Sequence, residues 1–271
     1  MKISAITATA VLLVPAALHA EGKGVVNTYP AVSSCMSLDY DPVNGWIWQA
    51  SSANNNGEIV TVDPEDGSFT HSFYVPDVVG TAGLEGNGVH YDEDDQYLYL
   101  TDSYGDSLAT YGDAIYCFDV SDPQNPGLVD VWDLGSLDGI LGITVRGSSF
   151  YCVFGYGDDL RKLSLSPGGG WTVEHTYVVP GNPLGGIYYN EDHDLFYSHD
   201  AEGSTIRVLD GANPLNEVGS FSPGCSFGVG IAMVEDFYIW GSSYGSNENY
   251  VIEDEHLSFE GTTWGAVKAA Y

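Results

Sequence analysis

The chain is 271 residues long and carries 38 acidic residues against 7 basic ones, a formal net charge of −31. Nucleic-acid binding by phosphate neutralisation needs clustered Lys and Arg, so this charge balance excludes it and disfavours an anionic membrane surface likewise. With 34 Gly, 19 Tyr and 6 Trp and no long helical period, the composition predicts many short strands joined by tight turns.

The first stretch, residues 1–20, has one Lys, an apolar run from Ala5 to Ala17 and a small-x-small ending at Leu18-His19-Ala20. That pattern reads as a secretory signal peptide, which predicts export to a periplasm or the cell exterior and a single domain over residues 21–271. No segment is long and apolar enough for membrane insertion by a helix.

The next segment, VVNTYP at 25–30, resembles the last strand of a repeat, yet it precedes the first one. It is expected to complete the final repeat from the other end of the chain. The repeats themselves start at SLDYDPVNGWIWQAS (37), GVHYDEDDQYLYLTDS (88), GITVRGSSFYCVFG (142), GGIYYNEDHDLFYSHD (185) and GVGIAMVEDFYIWGSS (228), spaced by 51, 54, 43 and 43 residues. Each opens on Gly or Ser and continues as an apolar run, an acidic turn, an aromatic run, a polar loop and two more runs. Units of this length with four strands are propeller blades. The predicted fold is all-β: a five-bladed β-propeller of four-stranded antiparallel blades, closed by the N-terminal strand. The tail TTWGAVKAAY, residues 262–271, is expected beside that seam.

In this topology the acidic turns around Asp41, Asp92–Asp95 and Glu191–Asp194 fall on one face. Tight turns favour Asp for backbone reasons. Solvation is the favoured reading of the acidity, with cation binding, calcium above all, as the other. DPEDGS and DEDDQ resemble pieces of calcium loops but lack the full ligand spacing. On the opposite face lie longer loops with Tyr104, Tyr111, Tyr156 and Tyr244 beside Ser, Asn and Asp. Such rings suit stacking on a sugar, which makes these four the candidate ligand-binding residues; packing on the neighbouring blade is the competing reading.

The blade pattern, with GEIVTVDPEDGSF in the third and fourth strands of the first repeat, resembles the secreted bacterial propellers of the YVTN and NHL kind, which implies fold and not function. The chain is also similar in length and topology to the five-bladed plant-type glutaminyl cyclases. Their Phe-Gly-Glu-Gly motif at the start of the second blade has a counterpart in GLEGNG at 83–88, with Glu85 as the matching acid, whereas SSCMSL stands where the first-blade motif belongs. That resemblance makes Glu85 a candidate catalytic residue. His90 joins it from its place on an innermost strand.

Cys35 and Cys225 precede the first strands of the first and fifth blades, neighbours in a closed ring, and are expected to form a disulfide. Cys117 and Cys152 are expected as apolar core residues. His193 and His199 flank one strand at opposite ends and are read as exposed turn residues. A nucleophile elbow needs a helix directly after its serine, and no such helix is expected. The functional expectation is an exported binding or surface-interaction module meeting a glycan, peptide or extracellular partner, without a resident cofactor. The alternative is a cyclase- or lyase-type enzyme in which Glu85 and His90 converge at the mouth of the central channel.

Overall fold

The structure is a computed structural model that describes residues 25–32, 35–51, 57–79, 86–102, 113–135, 139–155, 159–181, 184–200, 205–223, 228–234, 238–243 and 247–253. Its twenty strands form five antiparallel sheets of four. Blade 1 is β2 (Cys35–Asp41), β3 (Trp46–Ser51), β4 (Glu58–Val62) and β5 (Phe69–Tyr74), and blade 2 is β6 (Gly88–Asp92), β7 (Tyr97–Asp102), β8 (Asp113–Asp119) and β9 (Gly127–Gly135). Blade 3 is β10 (Ile140–Arg146), β11 (Ser149–Phe154), β12 (Asp159–Ser166) and β13 (Gly170–Val178); blade 4 is β14 (Leu184–Asn190), β15 (Leu195–Asp200), β16 (Ile206–Asp210) and β17 (Glu217–Phe221). Blade 5 is β18 (Gly228–Val234), β19 (Tyr238–Ser243) and β20 (Glu248–Glu253), completed by β1 (Val25–Pro30) as its outermost strand.

The N-terminal strand therefore closes the ring as the sequence predicts. Thr28 stands opposite Tyr250 and Tyr29 opposite Asn249. The Asn249 side-chain amide donates to the Pro30 carbonyl at 3.0 Å, and the Ala31 N–H donates to the Asn247 carbonyl at 2.9 Å.

The core is five wedges, one between each pair of adjacent blades. Alternate residues of a strand point to opposite faces, so each blade feeds two wedges. On β3, Trp48 packs toward blade 2 and Ile47 toward blade 5; on β15, Phe196 joins the wedge with blade 3 and Tyr197 the wedge with blade 5. Second strands such as β3 and β15, and the third strand β8, are consequently buried on both sides, whereas outer strands such as β13 are largely exposed. Trp48 shows the scale of a wedge contact: it is 1% exposed, stacks on Tyr91 of blade 2 at 6.5 Å and meets Phe73 at 6.4 Å. Truncating such a ring costs about 3–5 kcal/mol.

The glycine near the start of the inner strand in blades 2, 3 and 5 has a steric cause. A methyl group on Gly88 would stand 3.0 Å from Gly142 Cα, one on Gly142 3.0 Å from the Gly185 carbonyl, and one on Gly230 2.8 Å from Ser37 Cα. The inner strands crowd one another at this level and pinch the channel. Ser37 uses its hydroxyl there to accept the Val89 N–H at 2.9 Å.

Three expectations are corrected. Cys35 is a free, fully buried thiol that donates to the Ser37 carbonyl at 3.5 Å, so it is not half of a bridge; Cys225 lies outside the described residues. Burial in a medium that disfavours the thiolate pushes its pKa up to about 12. Cys117 and Cys152 are buried free thiols in the wedge between blades 2 and 3. A short helix, α1 (Val75–Val79), occurs in the link after blade 1, where Pro76 fits a helix start and the run is too brief to show a period. His199 is no exposed turn residue: it sits on β15 at 0% exposure, because a second strand is covered on both faces.

Candidate functional site

Beyond the pinch the inner strands splay, and a cavity of about 560 Å³ opens at the channel end where they pass into the first-to-second turns. All five blades contribute to it: Tyr40 from β2, His90 from β6, Val145 from β10, Tyr188 from β14 and Met233 from β18. Its volume falls in the range of small-molecule sites.

His90 is held on two sides. Its Nδ1 lies 2.8 Å from Asp39 Oδ2, and its ring stacks on Tyr99 at 6.3 Å and 21°. Asp39 is itself locked, for Oδ2 also accepts the Tyr91 N–H at 2.7 Å and Oδ1 the Tyr40 N–H at 2.9 Å. This arrangement follows from the topology. The inner-strand amides of one blade have no ladder partner on the channel side, and a polar side chain from the preceding inner strand supplies one. Thr144 does the same for the Tyr189 N–H at 3.1 Å. A carboxylate in that position, with its side chain only 5% exposed, takes three N–H donors and orients the imidazole.

Among the described residues the lining holds six carboxylates, Asp39, Asp92, Glu93, Asp94, Glu191 and Asp192, and no Lys or Arg. The nearby cation Arg146 is turned away from them. Its Nε donates to Asp194 Oδ1 at 2.8 Å, and the Tyr189 hydroxyl donates to the same oxygen at 2.8 Å. Those two donors hold the Asp194 carboxyl below its usual range, and Asp194 raises the Arg146 guanidinium in turn. Chemically, the cavity offers negative potential, tyrosine rings and one oriented imidazole. Among the described residues no three His, Cys, Asp or Glu side chains converge as metal ligands.

Of the residues singled out in the sequence, the structure brings His90 to this cavity. Glu85, Tyr104, Tyr111, Tyr156 and Tyr244 lie outside the described residues. Asp39 was missed, although the first-strand alignment places it level with His90, Thr144 and Tyr188 as the sole acid in that tier.

No family model matches the chain, and no curated protein matches it either. Solved structures do resemble it. Glutaminyl cyclase from Myxococcus xanthus superposes with a TM-score of 0.63 at 12% identity, over 84% of this chain and 94% of that one. A chain of a nidogen/laminin complex superposes with a TM-score of 0.53 at 14% identity, over 83% of this chain and 77% of that one. At these identities the likeness is one of fold.

Proposed function

We propose that the protein is an exported binding module that takes a cationic ligand, such as a basic peptide segment of an extracellular partner, at the channel mouth. One observation carries the reading: a cavity of about 560 Å³ fed by all five inner strands, with six carboxylates and several tyrosines in its lining and no Lys or Arg among the described residues. Carboxylates on a common mouth focus a negative potential that attracts and orients cations, and tyrosine faces add cation–π attraction.

Arrays of basic, neutral and acidic peptides and of glycans, probed with the purified chain, test this. Basic peptides are expected to be retained, weakly at high salt, and Tyr188→Ala is expected to reduce the retention. Retention of glycans alone, lost in Tyr104→Ala or Tyr156→Ala and intact in Tyr188→Ala, returns the ligand to the tyrosine-rich loops and rejects the channel mouth.

A second reading, the cyclase- or lyase-type enzyme, draws on the Asp39–His90 pair, since a carboxylate-oriented imidazole is a general-base arrangement. Release of ammonia from peptides with N-terminal glutamine, abolished in His90→Phe, would support it over simple binding.

A further inference from the structure

The hydrogen bonding around His90 fixes more than its orientation. An ionised carboxylate only accepts, so the 2.8 Å contact with Asp39 requires the proton to sit on Nδ1. In the neutral ring Nε2 is then a lone-pair acceptor. No described residue takes it, while His90 lines the cavity and its ring plane is held by Asp39 and Tyr99. The tautomer is over-determined, because Asp39 is anchored by the Tyr40 and Tyr91 backbone N–H groups and has no freedom to offer His90 a donor.

We infer that His90 Nε2 is the specificity element of this site, accepting a hydrogen bond from the ligand's charged nitrogen, so that the cavity selects alkylammonium ions bearing N–H over permethylated ones. This rests on the channel-mouth reading above and deepens it. Charge and tyrosine rings attract both kinds of cation, and rings favour the quaternary kind; the turn carboxylates accept N–H bonds as well, but Nε2 is the acceptor held in place on an inner strand. A primary ammonium is the costlier to desolvate, and it prevails in a part-enclosed cavity only where an acceptor replaces lost water. The fixed Nε2 is such an acceptor. The same chemistry belongs to free alkylamines and to lysine side chains of a peptide.

The test compares butylammonium with butyltrimethylammonium, equal in charge and chain, by calorimetric titration of the purified chain at constant ionic strength. A hydrogen bond to a charged donor predicts about tenfold or greater preference for butylammonium. In His90→Phe the ratio is expected to fall severalfold, through loss of butylammonium affinity. Wild-type protein labelled with ¹⁵N-histidine gives a check that needs no variant: His90 is expected as the Nδ1–H tautomer, with its Nε2 resonance moving as butylammonium binds. An acetyl-lysine methylamide arm, against its trimethyl-lysine form, tells peptide side chains from free amines. Equal wild-type affinities, an Nε2–H tautomer, or discrimination undiminished in His90→Phe overturns the inference and leaves the cationic channel mouth standing. No binding of either butyl cation overturns both.

Discussion

Acidification is expected to weaken this protein through one residue. His199 is fully buried on β15, no hydrogen bond of good geometry reaches either ring nitrogen among the described residues, and Nε2 faces the narrow space beside Gly241 of blade 5. Burial pushes its pKa down to about 4 from 6.5, with the Asp200 backbone and then its charge opposing the shift without cancelling it. A depressed histidine pKa means that the unfolded chain binds the proton more readily. The resulting stability is fully present above about pH 6.5 and drains away as the pH falls toward 4. With one pKa unit equal to about 1.4 kcal/mol, the loss at pH 4 relative to pH 7 is about 3 kcal/mol. Other groups titrate in the same window, and easing the net charge of −31 adds stability as the carboxylates protonate. The informative quantity is therefore a difference. Urea unfolding of the wild type and His199→Leu at pH 7, 6, 5 and 4 should show the variant gaining about 3 kcal/mol on the wild type across the series. At pH 7 the variant should be as stable or more so, since two ring nitrogens without a good hydrogen bond leave a dry site. Parallel stability curves, within about 1 kcal/mol from pH 7 to 4, would refute the assignment of an uncharged imidazole at this wedge.

Two further outcomes follow from described contacts. Cys35 and Cys117, whose burial raises both pKa values to about 12, and the still more deeply shifted Cys152 should resist alkylation by iodoacetamide at pH 8 until the protein unfolds; rapid native-state labelling at any of the three would contradict their burial. Gly67 has a φ of 73°, and a methyl group on it would run into the ring of Tyr29, whose hydroxyl donates to the Glu65 carbonyl at 2.9 Å. Gly67→Ala should cost about 1 kcal/mol for the backbone alone and more for the clash, and a double-mutant cycle with Tyr29→Ala should recover the clash share; additive losses would show that ring and turn do not touch.

The repeat starts made the architecture readable because one steric demand, the crowding of inner strands at the pinch, forces Gly near the start of the inner strand in blades 2, 3 and 5. The closing strand was readable for a related reason: VVNTYP has the character of an outer strand but no blade before it. Site chemistry was less accessible. His90 stood out as a polar residue on an inner strand, but its partner Asp39 lies 51 positions away in sequence on the adjacent inner strand, and only the ring brings them together. His199 was misjudged because its nearness to a loop suggested exposure, while second strands are covered by blades on both sides. Cys35 shows the limit of reasoning from blade position, since proximity of two strand starts does not fix where a thiol points. Here it points at the Ser37 carbonyl.

The seam in blade 5 also orders events in time. The Pro30 carbonyl and the Asn249 side chain that bind each other are 219 residues apart, so during synthesis β1 waits for a partner made much later. Until the two meet, β1 has no ladder partner and the wedge between blades 5 and 1 lacks Ala31 and Val32. Closing so distant a contact makes folding slow relative to chains with local pairing. A circular permutant that joins β20 directly to β1 and opens the chain at an outer blade link would turn this remote pairing into a hairpin, and should refold faster to the same ring.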